Sequence, residues 1–525
     1  MAAPPNAPAA TPEAVTCREY VLPKLKAAGW DTGQHAIVEQ FTFTDGRILV
    51  RGSHAARDEK KRADYVLKYT PDLPLVVVEA KSYYAIPAKG LQQAKQYAEI
   101  LGLHFAYATN GQGIVEHDYS TGVETELTNF PTPDQLWARY RAAQGLTDDA
   151  AAQRALTPAN TASGRHPRYY QQIAIQRAVE AILTGQTRLL LTLATGTGKT
   201  EVAFQICWKL TQARWNRAGA HRKPRILYLA DRNVLVDDPK DKTFAAFGEA
   251  RCKISGRVVK SREMYFSTYQ AIAEDEHRPG LYRQYPSDFF DLIVVDECHR
   301  GSARRDSVWR EILYHFRSAV QLGMTATPKR AESADTYAYF ENPLYTYSLK
   351  QGIEDGFLAP YRVHRVVTDY DAHGWRPSSG DRDRFGRAIP DDEYQTKDFE
   401  RAVALRARTK AIARHLSDYL LQTNRYDKTI VFCVDQDHAE EMRFQLSNLN
   451  ADLVKKHPDY VCRVTADEGP IGAGHLSRFQ DLETTSPVIL TTSQLLTTGV
   501  DVPTCKNVVL ARVVGSMVEF KQIIG

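Results

Sequence analysis

Apolar positions in the first quarter of the chain change period repeatedly between helical and strand spacing. Val21, Leu25 and Ala28 recur at helical spacing between Thr16 and Gly29, which predicts a helix opened by a Thr16/Glu19 capping box and bent at Pro23. FTFTDGRILV (41–50) reads as a hairpin about Asp45 and Gly46. ADYVL and LVVVEA then alternate as strands, AKGLQQAKQYAEILG (88–102) carries a helical stripe, and HFAYAT and GIVEH return to strand. Residues 146–167, LTDDAAAQRALTPANTASGRHP, have few large apolar side chains and read as a linker. Beyond them LLLTLA, RILYLA, MYFSTY, DLIVVD and AVQLGM are short apolar runs separated by helical stretches, the pattern of a parallel α/β sheet. A polar stretch, 370–399, precedes a second such alternation through TIVFCV, YVCRVT, PVILTT and NVVLAR. The layout expected is a disordered tail (1–12), a first α/β domain (13–145), a linker (146–165) and two parallel-sheet lobes (166–355 and 356–525).

Composition narrows the class without naming a chemistry. The chain has 525 residues, 43% hydrophobic and 25% charged, with a net charge of +4, so any polyanion must be met by local patches. Seven scattered cysteines show no CxxC pair and no Cys/His metal spacing, which fits reduced thiols in the cytoplasm. The first residues, MAAPPNAPAATPEA, lack the basic start and apolar stretch of a signal peptide, and no apolar run is long enough to span a membrane.

Two sites stand out. LTLATGTGKT (191–200) is a strand, a Gly-rich turn and a helix start, although Leu193 stands where the strict P-loop pattern has Gly or Ala. The turn Thr195, Gly196, Thr197, Gly198 would offer backbone N–H groups to phosphates, Lys199 would reach the β- and γ-phosphates, and Thr200 would present a hydroxyl to Mg²⁺. DLIVVDECH (291–299) ends a buried strand in Asp296, suited to hold Mg²⁺ through water, and Glu297, suited to activate the attacking water. In the second, LVVVEAKS (75–82) ends an apolar strand with Glu79 and Lys81 on one face, roughly 7 Å apart. Asp64 lies one strand earlier in RADYVL, and Gln93 and Tyr97 share a face of the next helix. Two carboxylates suit one or two Mg²⁺ ions, and a lysine suits the charge of a phosphoryl transition state.

ATGTGKT, STYQA, DECH and MTATP occur in the order of superfamily 2 helicases, which they resemble over about 165–525. That resemblance implies ATP bound between two RecA-like lobes and DNA running across both. It implies adenine contact at Gln171 (RYYQQ), nucleotide contact at Gly499 and Asp501 (TTGVDVP), and coupling through Thr325, Ala326 and Thr327. Phosphate contacts to DNA are expected from 267–270, Arg232 and 497–499. Asp64, Glu79 and Lys81 with Gln93 and Tyr97 resemble the RecB-like branch of PD-(D/E)xK nucleases, in which Glu19 could be the first-helix acid. The expected fold class is therefore α/β, a PD-(D/E)xK nuclease domain followed by two RecA-like motor lobes.

With VLPKLKAAGW, KRADYVL and ATNGQGIVEHD, the whole chain resembles the restriction (R) subunit of type I restriction–modification enzymes. The resemblance implies translocation of double-stranded DNA, cutting at distant non-specific positions, and methyltransferase and specificity subunits as partners, with S-adenosylmethionine bound in the methyltransferase. The family continues VEFKQIIG (518–525) with arginines, so the expectation is a fragment whose second lobe is incomplete. A stand-alone defence or repair helicase–nuclease and a binding module with an inert nuclease are the alternatives.

Overall fold

The computed structural model describes residues 13–51, 54–273, 280–298, 310–326, 330–331, 334–378, 381–382, 388–395, 398–399, 406–493 and 502–524. The chain divides into two compact units, 1–360 and 361–525. Among the described residues no helix is long and apolar enough to cross a membrane.

The first unit holds two large sheets. The N-terminal one orders its strands β1 (Ala36–Thr42), β4 (Arg62–Thr70), β5 (Leu73–Ala80), β6 (Phe105–Thr109), β7 (Ile114–Asp118) and β8 (Val123–Leu127). β5 and β6 are parallel, and every other neighbouring pair is antiparallel. Alternate residues of the central strands feed different cores, as period two requires. Tyr65, Leu67, Val76 and Val78 enter the core that includes Trp30, Leu136 and Trp137. Val66 and Val77 enter the opposite core with Ala94, Ala98 and Leu101 of the helix Leu91–Leu101, which Gly102 ends in a left-handed cap.

Three local expectations are corrected. Asp45 and Gly46 are the base of a β-arm and not a hairpin tip. β2 (Ile48–Arg51) pairs with β3 (His54–Arg57), while β1 pairs with β4. Gly46 has φ 76°, and a Cβ there would lie 2.1 Å from the Asp58 carbonyl oxygen, so the close crossing of the arm's two strands needs glycine. The Thr16/Glu19 capping box is not formed, because the Thr16 hydroxyl accepts from the Tyr83 N–H at 3.1 Å. The first helix is continuous through Glu13–Thr16, a π-turn Cys17–Val21 and Leu22–Ala27, and the irregularity expected at Pro23 takes the form of the π-turn directly before it. The stretch expected to link domains contains a helix, Asp149–Ala155, capped by Asp148 and burying Ala151, Ala152 and Ala155.

The second sheet is wholly parallel, ordered β11 (Arg251–Lys253), β12 (Met264–Thr268), β10 (Ile226–Ala230), β13 (Leu292–Asp296), β14 (Val320–Thr325), β9 (Arg188–Leu193) and β17 (Tyr345–Tyr347). Its inner strands are buried on both faces, hence the near-continuous aliphatic runs. A two-residue ladder joins β15 (Arg330–Ala331) to β16 (Ala334–Asp335).

The two sheets share a core through the helix Tyr169–Leu183. Phe43 packs edge-on against Tyr97 (5.3 Å between centroids) and Tyr169 (6.1 Å), and Tyr170 stacks on Tyr347 at 3.9 Å. The buried Asp355 carboxylate accepts from the Tyr169 and Tyr347 hydroxyls.

The second unit contains a parallel sheet ordered β19 (Val461–Arg463), β20 (Ile489–Thr492), β18 (Lys428–Phe432) and β21 (Cys505–Leu510). The helices Arg406–Gln422 and Gln436–Leu449 contribute Ala413, Leu416, Ala439 and Met442 to its core.

Candidate functional site

The antiparallel pair β4 and β5 brings Asp64 and Glu79 together at one end of the N-terminal sheet. The Asp64 N–H donates to Glu79 Oε1 at 3.3 Å, and the Ala80 N–H donates to Asp64 Oδ2 at 2.9 Å. Gln40, in a left-handed conformation on β1, donates its amide to Asp64 Oδ1 at 3.2 Å. Glu79 is only 2% exposed; burial, and then the neighbouring charge of Asp64, push its carboxyl up to about 8. Lys81 follows the end of β5 and donates to Gln93 Oε1 at 3.2 Å and Glu13 Oε1 at 2.9 Å. Burial pulls the ammonium pKa down, but the bond to Glu13 and the charges of Glu13, Glu79 and Asp64 outweigh it, and the net shift is upward. Gln93 in turn donates to the Tyr97 hydroxyl one helical turn on, at 3.3 Å. Gly90 faces this cluster; a Cβ there would stand 3.3–3.4 Å from Lys81 and Glu79 atoms.

The sequence-expected residues Asp64, Glu79, Lys81, Gln93 and Tyr97 are thus brought to one place, and Glu13 joins them. Glu19, the first-helix acid that the sequence suggests, is exposed, while Glu13 holds the lysine. Nothing local marks Glu13, because its partner is distant in sequence. Among the described residues no cluster of three or more His, Cys, Asp or Glu side chains has metal-binding geometry, so the carboxylate pair is what this end offers a cation. That pair still fits a hard divalent ion, since Asp64 and Glu79 set two oxygen donor groups side by side at a buried sheet end.

At the second, wholly parallel sheet, β9 runs into a turn whose Gly196 and Gly198 have φ 78° and 81°. The helix Lys199–Gln212 begins directly after it, and its N-terminus points positive potential at the turn. The Thr197 hydroxyl donates to the Ala194 carbonyl at 2.5 Å, while the Thr197 carbonyl accepts from the Tyr170 hydroxyl and the Gln171 amide, both at 2.9 Å. Gln171 also caps its own helix by accepting from the Arg168 N–H at 2.8 Å. Lys199 Nζ lies 3.4 Å from Glu297 Oε1. Glu297, next after β13, has φ 50°, a left-handed conformation uncommon outside glycine. Asp296 is buried; desolvation and the Glu297 charge push its carboxyl up to about 6. Its Oδ2 accepts from the Tyr228 hydroxyl at 2.6 Å and its Oδ1 from the Glu297 N–H at 2.9 Å. Thr200 is half-buried in the first helical turn, so a hydroxyl and a carboxylate of the type Mg²⁺ prefers flank the phosphate cradle. No motif marks Tyr228, although one phenol in the aliphatic strand ILYLA signals a buried partner.

Thr325 is buried at the end of β14, beside Thr192 of β9, and Ala326 follows it half-buried. Thr327, Gly499 and Asp501 lie outside the described residues. The expected DNA contacts at 267–270 are corrected in part: Ser267, Thr268 and Tyr269 are buried, and only Gln270 is exposed. The Ser267 hydroxyl bonds the Thr268 carbonyl at 3.1 Å.

Residues 33–131 match the family model described as type I restriction enzyme R protein N terminus, and 165–330 match that of the type III restriction enzyme res subunit. The chain is 47% identical over 521 residues to the EcoAI type I restriction endonuclease subunit of Escherichia coli, spanning 98% of this chain and 63% of that protein. The EcoKI endonuclease subunit of Escherichia coli K12 is 30% identical over 68% of this chain and 32% of its own length. The chain thus spans less than two thirds of these curated relatives. A solved fragment of a proposed HsdR subunit of a type I restriction enzyme from Vibrio vulnificus YJ016 superposes with a TM-score of 0.83. It is 58% identical and covers 98% of this chain and 90% of its own. At 58% identity over nine tenths of that solved fragment, the chain belongs to the HsdR family, the endonuclease subunits of type I restriction enzymes.

Proposed function

We propose that the chain is an ATP-driven double-stranded DNA translocase and Mg²⁺-dependent endonuclease, acting in the cytoplasm with the methyltransferase and specificity subunits of a type I complex. S-adenosylmethionine would bind the methyltransferase partner and not this chain. One observation carries the reading: Asp64, Glu79, Lys81, Gln93 and Tyr97 meet at one sheet end in the same compact unit as the Lys199/Glu297 phosphate cradle.

Asp64 and Glu79 would hold Mg²⁺ at the nuclease end, and Thr200 and Asp296 would hold it at the nucleotide. Bound there, the cation would lower the proton affinity of water and neutralise charge on the leaving oxygen. Lys81, fixed from two sides by Glu13 and Gln93, would direct its ammonium at the scissile phosphate, and Tyr97 would keep Gln93 in place. The N–H groups of residues 195–200 and the Lys199 ammonium would cradle the ATP phosphates, with adenine contact at Gln171. Glu297 would orient the attacking water once nucleotide draws Lys199 away from it. Thr325, Ala326 and Thr327 would couple hydrolysis to movement, and Gly499 and Asp501 would complete the nucleotide site.

The test is the chain assembled with its partner subunits on unmethylated plasmid. Cutting should require both ATP and Mg²⁺; Lys81→Ala should stop cutting and spare ATP turnover, and Lys199→Ala should stop both. Wild-type cutting by Lys81→Ala would overturn the nuclease assignment, and cutting without ATP the link between motor and nuclease.

A further inference from the structure

We propose that Tyr228 is a positioning residue of the nucleotide site, its phenol fixing the Asp296 carboxylate in the rotation that receives the Mg²⁺–nucleotide complex. The inference rests on the ATP·Mg²⁺ reading above and deepens it. Tyr228 lies on β10, next to β13 and opposite Val294, and is fully buried. Its ring is wedged between Phe244 and Phe266, with centroids 5.7 and 5.6 Å away, so the hydroxyl cannot swing aside. That hydroxyl donates to Asp296 Oδ2 at 2.6 Å while the Glu297 N–H donates to Oδ1 at 2.9 Å.

Each carboxylate oxygen accepts one hydrogen bond from a fixed group and keeps a further lone pair. With both oxygens pinned, rotation about the Asp296 side chain is blocked. A phenylalanine would fill the same space in ILYLA. The hydroxyl must be desolvated in the core, and its bond to a carboxylate offsets that cost. It therefore serves the acid more than the strand.

The experiment uses the full chain, the Tyr228→Phe variant and a fluorescent N-methylanthraniloyl-ADP probe, titrated with and without Mg²⁺. A hydrogen bond to a charged group is worth on the order of tenfold or more in affinity. In Tyr228→Phe, Mg²⁺ should tighten nucleotide binding at least about tenfold less than in the parent, with Mg²⁺-free binding within about twofold. In an Asp296→Ala background the same substitution should change neither value. An unaltered Mg²⁺ effect, an equal loss with and without Mg²⁺, or failure of Tyr228→Phe to fold by circular dichroism overturns the proposal. If the parent itself binds no nucleotide and Lys199→Ala changes nothing, the nucleotide reading falls too, which separates the two failures.

Discussion

Replacing Glu79 by Gln should stabilise the protein at neutral pH while abolishing DNA cutting. The side chain is 2% exposed, and its carboxyl is pushed up to about 8 from an ordinary 4.5, first by burial and then by Asp64. Well below pH 4.5, Glu79 is protonated in both folded and unfolded chains and contributes no difference. As pH rises past 4.5 the unfolded carboxyl ionises while the folded one keeps its proton, so the unfolded state gains free energy of ionisation that the folded state lacks. Wild-type stability therefore falls relative to Glu79→Gln until about pH 8, where the gap levels. At pH 7 the gap is roughly 3 kcal/mol, since each tenfold difference in proton affinity between the two states is worth about 1.4 kcal/mol. With an unfolding entropy of about 2.1 cal/mol/K per residue over a 360-residue unit, this is a rise of roughly 4 °C in Tm. The glutamine keeps the acceptor for the Asp64 N–H, and its amide can donate to the Asp64 carboxylate, so no buried polar group is stranded.

The assay is intrinsic-fluorescence melting of both proteins at about pH 4.5, 6, 7 and 8.5, with and without excess Mg²⁺. The Tm gap should open with pH, and Mg²⁺ should close it by stabilising only the wild type, because a ligand that binds the folded state adds to its stability. A gap independent of pH, or a glutamine variant less stable at pH 7, would refute the strained carboxylate pair.

Glu13→Gln should slow cutting by at least about tenfold through release of Lys81, whereas Glu19→Gln should leave it unchanged; plasmid linearisation rates decide, and equal effects would contradict the assignment. Arg139→Ala should cost about 3 kcal/mol and lower the Tm, because the buried Glu116 and Asp118 lose their shared guanidinium at 2.7 and 2.6 Å. DNA binding by the chain alone should weaken steeply between about 50 and 200 mM salt and show no sequence preference in filter binding, the mark of phosphate contacts.

The features legible in the sequence are patterns written over short distances. LVVVEA reads as a buried strand because both its faces are apolar, and charge at such an end needs a reason. The P-loop, DECH and the Gln93/Tyr97 pair are likewise local spacings. The helix Asp149–Ala155 is hidden because its buried face is alanine, too small to show as an apolar stripe. The misplaced hairpin has a tertiary cause: Asp45 donates its N–H to the Asp355 carbonyl at 2.8 Å, so the Asp-Gly pair is used to dock the arm instead of turning it. Glu13 and Tyr228 each act through one contact to a residue far along the chain, which no periodicity encodes.

The two-sided burial of the central strands β4 and β5 also explains why the two candidate sites sit in one compact unit. Because β4 and β5 bury both faces, the face carrying Val66 and Val77 must be covered, and the core that covers it continues into the helix Tyr169–Leu183 and the strand β9. The seam is aromatic: Tyr97 meets Phe43, Phe43 meets Tyr169, and neighbouring Tyr170 donates to the Thr197 carbonyl in the phosphate turn. Edge-to-face pairs of this kind contribute about 0.5–1.5 kcal/mol each beyond the area they bury. Asp355 adds a buried acceptor shared by Tyr169 and Tyr347 and a backbone bond to Asp45 on the nuclease side. The helix Asp149–Ala155 packs on the same Tyr169–Leu183 helix, so even the connecting stretch is part of the seam. The spacing between Gln93 and the phosphate turn is consequently set by packed side chains, and not by the length of a tether.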